Sequence, residues 1–261
     1  MVMYLKQIKL SFMSEFVYKS NTYLLLFTNI ISFYIRLTIW QTIYSENVNF
    51  SVSLDEMITF IIVGLLIRGL TGKTIARDFA AQIVSGAVER YFTKPLNLKH
   101  YLLSEKLGRN LFTTCFNVLP VLIFATIWFR GIVVDITFLP LFILSLVLSI
   151  LLMFQIDYAL SLFTFWLKNG VHIDFLLSAL FAVFAGSVIP LWFYPTALRN
   201  VALFLPFRLV FFEPIEIFMG RMSQLDAIGI ITLQIVWIII MSLISKLIWN
   251  KAQKVIDIQG G

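Results

Sequence analysis

The chain has 261 residues, of which 60% are hydrophobic and only 13% charged, against about 25% charged in a soluble globular protein. With a mean hydropathy of +0.92 it has too little polar surface for a dissolved globule, so the expected class is an all-α integral membrane protein. The apolar runs are continuous rather than alternating, which excludes an outer-membrane barrel, and the net charge of +6 sits between those runs, where it is no sign of nucleic-acid binding. At about 20 residues per crossing, the length suits about six transmembrane helices in a single domain, 1–261.

Residues 4–19 place Leu5, Ile8, Phe12 and Phe16 on one side and Lys6, Lys9 and Lys19 elsewhere. That pattern predicts an N-terminal interfacial helix on the inner leaflet. The same charges argue against a cleavable signal in this stretch. The first span runs from about Tyr23 to Tyr44. It contains Arg36, a costly residue in hydrocarbon, which either faces a pathway or a partner or snorkels outward. The second span covers about Met57 to Leu70.

The stretch from Arg68 to Arg109 follows. It carries Arg68, Lys73, Arg77, Arg90, Lys94, Lys99, Lys106 and Arg109. Within it Ile75, Phe79, Ile83 and Ala87 fall on one helical face. An amphipathic helix over 75–92, stopped by Pro95, is one reading; a charged loop that only sets topology is the other. Gly72-Lys73-Thr74 ends like a phosphate-binding loop, but the position that needs the first Gly is Ile67 and no strand precedes it.

The third span, about Leu111 to Phe129, holds Asn117 and Pro120, which predict a kink. Cys115 lies in this span, and as the only cysteine it forms no internal disulfide and reads as packing. The fourth span, Phe138 to about Leu167, exceeds one crossing and carries Gln155 and Asp157. The fifth is about Phe175 to Ile189, with Ser178, Ala182 and Gly186 at a spacing that lets helices approach closely. Residues 190–221 are too apolar for a solvated loop and too broken by Pro195, Pro206 and Pro214 for one span. Two short helices dipping into the outer leaflet fit, near Pro195–Leu205 and Arg208–Met219. Irregular backbone at that depth must be buried in protein or line a cavity. The sixth span is about Ala227 to Trp249. Of the 20 Lys and Arg, only Arg130, Arg199, Arg208 and Arg221 fall in outer segments and Arg36 within a span. That bias predicts cytoplasmic termini.

Catalytic chemistry has little support. The two histidines, His100 and His172, have no second ligand at metal spacing, so no metal site is expected. Three function classes remain. A membrane enzyme acting on lipids needs polar residues clustered at one depth, and none is apparent. A stand-alone secondary carrier driven by an ion or proton gradient needs intramembrane acids, and Asp157 is the one well inside a span. A subunit of an ATP-driven transporter needs a helix able to pass movement from a separate ATPase to the spans, and an outer segment to act as a lid.

The layout resembles the permease subunits of type-2 ABC exporters: six spans, an N-terminal interfacial helix, a cytoplasmic coupling helix before span three, and outer re-entrant helices before span six. Within AQIVSGAVERYFTKPLNLKHYLLSEKLGR, Ser85-Gly86 and Lys94-Pro95-Leu96 stand where that family's coupling segment has them. SVIPLWFYPTALRNVALFLPFRLVFFEPIEIFMG and the closing Gln259-Gly260-Gly261 look like a bacterial branch in which two permeases accompany one ATPase. The resemblance covers essentially the whole chain. It implies a non-catalytic permease that exports a hydrophobic or amphipathic compound across a bacterial inner membrane. The implied partners are an ABC ATPase subunit, a second permease (identical or sister) and membrane lipid, with no nucleic acid; ATP and Mg belong to the ATPase and this chain holds no cofactor. By the same resemblance Asp78, Gln82, Ser85, Gly86, Glu89, Arg90, Tyr91 and Lys94 meet the ATPase. Pro190, Trp192, Phe193, Tyr194, Pro206, Phe207 and Pro214 are exit-gate candidates, or else an aromatic belt anchoring the outer leaflet. Arg36, Asn117, Gln155 and Asp157 are polar pathway candidates, or else packing.

Overall fold

A computed structural model describes residues 2–46, 50–89, 97–128 and 132–259. Among these residues there are helices and turns and no strands. We number the main helices α1 (Val2–Ser14), α2 (Lys19–Ser45), α3 (Leu54–Thr71), α4 (Ala76–Val84), α5 (Leu98–Thr113), α6 (Leu119–Trp128), α7 (Leu139–Ser161), α8 (Gly170–Phe184), α9 (Thr196–Phe204), α10 (Phe212–Met219) and α11 (Gln224–Gln259). Among the described residues, five stretches are long and apolar enough to cross a membrane: Ser20–Ser45, Leu54–Val84, Leu98–Ile127, Ile136–Leu167 and Gln224–Gln253. The expected fifth crossing, α8, has 15 residues. At 1.5 Å per residue it covers about 22 Å, short of the roughly 30 Å of a hydrocarbon core.

The helix ends follow local chemistry. α3 opens with a capping box: the Glu56 N–H donates to Ser53 Oγ at 3.2 Å, and the Ser53 N–H donates to Glu56 Oε2 at 2.7 Å. Its other end is held by Asn110 of α5, whose amide donates to Leu70 O at 2.7 Å and accepts the Lys73 N–H at 3.0 Å. The kink expected at Pro120 takes the form of a π-helical turn, Thr114–Val118, between α5 and α6. Proline at 120 has no N–H and its ring crowds the carbonyl four residues back, so the chain widens by one residue ahead of it.

α1 packs along α5. Ser11 is buried, and a Cβ on Gly108 would lie 2.8 Å from the Ser11 Cβ and collide with the α1 backbone at Ile8. Phe12 and Phe16 stack edge-on against Phe112 at ring separations of 5.5 and 4.9 Å. Ile8 and Phe12 thus face the bundle, whereas Leu5, expected on the same face, stays exposed.

α7 and α11 pack along much of their lengths. Small Ser145 and Ser149 let α11 approach, and the Gln234 amide donates to Ser145 O at 3.1 Å and Leu209 O at 2.9 Å. The largest core cluster joins α3, α7, α8, α10 and α11 around Phe211, Leu209 and Ile215. Gly108→Val is expected to push α1 off α5 at a cost of about 1–3 kcal/mol. Trypsin cleavage at Lys6 and Lys9 in detergent should then be faster than in the parent; an unchanged cleavage rate would show that the close approach does not hold α1.

Candidate functional site

α4 is amphipathic by sequence and is clamped to three spans. Its inner face carries Phe79, fully buried, which meets Phe165 edge-on at 5.4 Å. Ile75, Phe79 and Val88 share a core with Leu102 of α5, Phe154 and Tyr158 of α7, and Ala252 of α11. Ala76 and Ala80 are buried between α4 and its neighbours. Gly170, the first residue of α8, lies so close to Ala76 O that any side chain there would collide with it.

Polar contacts fix the clamp. Asp157 of α7 accepts from Lys106 Nζ of α5 at 2.6 Å, and the same oxygen accepts the Ile75 N–H at the start of α4 at 3.1 Å. Its second oxygen accepts from Ser161 Oγ at 3.2 Å. The pair is sealed: the Lys106 and Asp157 side chains are 3% and 0% exposed. A carboxylate at this place also suits the positive end of the α4 dipole. From α8, Asp174 accepts from Thr74 Oγ1 at 2.8 Å and pairs with Arg77 Nε at 2.6 Å. Arg109 of α5 pairs with Asp78 on α4 and with Glu105, 2.8 Å away. Lys73 reaches Glu15, 3.5 Å away, so the Gly72-Lys73-Thr74 turn is engaged in tertiary contacts.

The outer face of α4 is different. Val84 is 65% exposed, and Ala81, Ser85 and Gly86 are exposed beside it. The helix expected to continue to residue 92 ends at Val84. Gly86 has φ +73°, a left-handed conformation that terminates helices and favours glycine. A 3₁₀ turn, Ala87–Glu89, follows. Of the residues expected to meet an ATPase, Asp78, Ser85 and Gly86 lie exposed on or beside α4, and Gln82 is half-exposed. The Asp78 charge is already engaged by Arg109 within the chain. Glu89 ends the 3₁₀ turn, and Arg90, Tyr91 and Lys94 lie outside the described residues.

The opposite end of the bundle gathers the aromatic segment. α8 ends at Phe184, and Gly186, at φ +72°, turns the chain back. Short helices follow where proline permits them: α9 after Pro195, a single turn Phe207–Val210 after Pro206, and α10 with Pro214 in its first turn. Trp192 packs against Phe60 at 5.1 Å and Phe212 at 5.3 Å, with Arg221 above its ring at 5.2 Å. Phe193 reaches Trp40 of α2 at 5.0 Å. The Tyr194 hydroxyl donates to Val183 O at 2.6 Å. Pro190, Pro206, Phe207 and Pro214 are buried, and Phe207 stacks near Phe184. All seven gate candidates therefore lie in one segment, with Trp192 and Phe193 turned toward α2 and α3. Arg221 joins this segment to α3 by pairing with Glu56, and its Nε lies 3.4 Å from Glu216 Oε1. Burial pushes the Glu216 carboxyl up to about 7, against the opposing charge of Arg221.

The four polar pathway candidates separate. Arg36 lines a cavity of about 400 Å³ between α2, α3 and α8. Asn117 is buried in the π turn, with its side-chain oxygen unpartnered. Gln155 is half-buried, likewise with its oxygen unpartnered. Asp157 sits in the α4 clamp, away from that cavity. Lys106, Asp174 and Gly170 carry the clamp without a local sequence signal. Lys106 and Asp157 are 51 residues apart, and no periodicity links them.

A family model described as ABC-2 family transporter protein matches residues 16–260. No curated protein and no solved structure gives a significant match.

Two outcomes check this geometry. Asp157→Asn leaves Lys106 buried without its counter-charge and should cost about 3–5 kcal/mol, read as a lowered Tm in detergent. Asp157→Leu combined with Lys106→Met should recover most of that loss, because both charges then leave the interior together. The second outcome concerns Glu216. Its folded-state carboxyl titrates above its ordinary 4.5, so between about 4.5 and 7 the folded chain holds more protons than the unfolded one. Stability should fall as pH rises through that window. Glu216→Gln should flatten that part of the Tm–pH curve.

Proposed function

The chain belongs to the ABC-2 transporter family, and on that premise we propose that it is the permease subunit of an ATP-binding-cassette exporter in a bacterial inner membrane. α4 and the turn after it are the coupling element, seated in a separate ATPase subunit. The end of the bundle bearing α4 is cytoplasmic, as are both termini, which agrees with the bias of Lys and Arg toward that end. The permease works as a dimer, with itself or a sister chain, beside two ATPase subunits. ATP binding closes the ATPases and moves α4; hydrolysis resets it. The segment 190–221 lies over the outward exit, and the cargo is hydrophobic or amphipathic.

One observation carries this reading. α4 presents an exposed apolar tip at Val84 while the rest of it is held to α5 by Asp78–Arg109, to α7 by the Ile75 N–H on Asp157, and to α8 by Arg77–Asp174 and the close approach of Gly170. A helix held in that way cannot move alone, so a partner that displaces the tip displaces the spans. An isolated apolar side chain on a surface is unremarkable; one at the end of a helix pinned to three other helices is where a docking partner would gain most.

An ion-driven carrier is the other reading, and it requires an intramembrane carboxylate free to titrate. Asp157, the candidate for that role, is occupied by Lys106, the Ile75 N–H and Ser161. On the permease reading, nucleotide binding and hydrolysis are the work of the separate ATPase subunit.

The test is purification of the chain from its native membrane. An ABC ATPase should accompany it, and Val84→Glu should reduce the co-purified ATPase about tenfold or more while leaving the Tm of the permease within a few degrees of the parent. Recovery of the chain with no ATPase, or an ATPase yield indifferent to Val84→Glu, would remove the coupling assignment.

A further inference from the structure

Two arginines inside the bundle lack a carboxylate. Arg36 on α2 lies nine positions before Ser45, and Arg68 on α3 lies fourteen beyond Leu54. At 1.5 Å per residue these are depths of about 14 and 21 Å from the far ends of their helices, inside the thickness of a hydrocarbon core. Both turn to one residue: Arg36 Nη1 donates to Ser187 O and Arg68 Nη2 donates to Ser187 Oγ, each at 3.1 Å. Ser187 lies just beyond the point where α8 stops short of a full crossing.

Arg77, Arg109, Arg208 and Arg221 each reach an Asp or Glu, and Arg199, which has no ion pair among the described residues, is exposed. Arg36 and Arg68 reach none among the described residues, and no acidic residue lines the cavity they share. Arg68 Nε is buried without an acceptor. One serine supplies a single carbonyl and a single hydroxyl to two full positive charges, which also repel one another. Both side chains are half-buried, and charges at membrane depth are otherwise paired or neutralised. A cavity of about 400 Å³ adjoins both side chains, with Phe33, Trp40, Phe60 and Phe181 on its walls. That volume suits a small charged group with several methylenes attached.

We propose that this cavity binds a ligand through a phosphate or carboxylate group, which the Arg36 and Arg68 guanidiniums clamp in place of the missing protein carboxylate, with any attached hydrocarbon lying along the aromatic wall. Planar guanidinium forks match both anions. The proposal narrows the cargo class of the permease reading from amphipathic to anionic and so rests on that reading.

The full chain purified in dodecyl maltoside can be titrated by calorimetry with dodecyl phosphate, dodecyltrimethylammonium and inorganic phosphate. Dodecyl phosphate should bind at least about tenfold more tightly than dodecyltrimethylammonium, which shares its chain and reverses its charge. Arg36→Gln and Arg68→Gln should each weaken dodecyl phosphate binding about tenfold or more, and Arg68→Lys should restore part of it by returning the charge without the fork. Dodecyl phosphate binding without inorganic phosphate binding makes the ligand an anionic amphiphile. Equal binding of both makes it a free anion, and either result supports the site. Equal affinity for the cationic and anionic detergents overturns it, and this comparison needs no variant to fold. Glutamine variants that keep the parent Tm and bind dodecyl phosphate unchanged also overturn it. An ATPase that still co-purifies in either negative case leaves the permease reading standing and removes only the anionic cargo.

Discussion

Asp157 places a carboxylate in the dry interior of the bundle, and the arrangement of α4, α5 and α7 depends on satisfying it. Taking both members of the Lys106–Asp157 pair out of water is costly, and their attraction roughly offsets that cost only when the geometry is close and the spare valences are filled. Here they are filled from three directions: an ammonium from α5, a backbone N–H from the start of α4, and a hydroxyl from α7 itself. Apolar packing alone would let α4 slide or roll on the spans with little penalty. A buried carboxylate shared between two other segments does not permit that, because a small displacement strands a charge. The pair therefore adds a fixed register to an interface whose bulk stabilisation comes from Phe79 and its neighbours.

Charge is distributed along the bundle in three zones. At the α4 end, Lys73, Arg77, Arg109 and Lys106 meet Glu15, Asp174, Asp78 and Asp157. At the other end Arg221 ties α3 to the proline-broken segment through Glu56 and Glu216. Between them Arg36 and Arg68 stand with a serine for company. The shortness of α8 makes that middle zone possible. A helix ending at Phe184 frees the backbone after it to turn inward, and its carbonyls must find partners away from water. Arg36 donates to the Ser187 carbonyl and the Tyr194 hydroxyl to the Val183 carbonyl in the last turn of α8, while Arg68 donates to the Ser187 hydroxyl.

Hydropathy made the helices legible, and proline made the broken segment legible, because both act within a few residues. The short helices expected near Pro195–Leu205 and Arg208–Met219 appear as α9 and α10 with one extra turn between them. Boundaries set by backbone conformation were harder to see. The apolar face through Ile75, Phe79, Ile83 and Ala87 keeps its period past Gly86, yet the left-handed φ of that glycine ends the helix first. Side chains that act at long range left no sequence signal. Arg68 and Lys106 read as members of a basic loop, although one lies in the last turn of α3 and the other inside α5. Gln234 stood unmarked in an apolar span and proves to hold α11 to α7 and to Leu209. Periodicity reports which face is apolar; it carries nothing about which distant polar group will meet which.

Helices are stiff along their axes, so the two ends of the bundle are mechanically connected by whichever spans are fixed at both. α3 is one: its last turn leads through Asn110-held Gly72–Lys73 to the start of α4, and its first turn holds Arg221 through Glu56. α7 is another: Asp157 grips α4 near one end, and at the other end the backbone N–H of Asp135, just before the helix, donates to the Phe218 carbonyl at 3.3 Å while Gly220 packs against the Asp135 side chain. Both spans thus end on α10 or the turn after it, and Gly64 of α3 lies directly under the Phe211 ring, where a Cβ would come within 2.6 Å. A displacement of α4 that shifts α3 relative to α7 must therefore be absorbed at 211–221 or in the cavity that α3 shares with α2 and α8. In the proline-broken segment the helices are short, so the packing around Leu209, Phe211 and Ile215, not a long hydrogen-bonded ladder, has to take up such a shift.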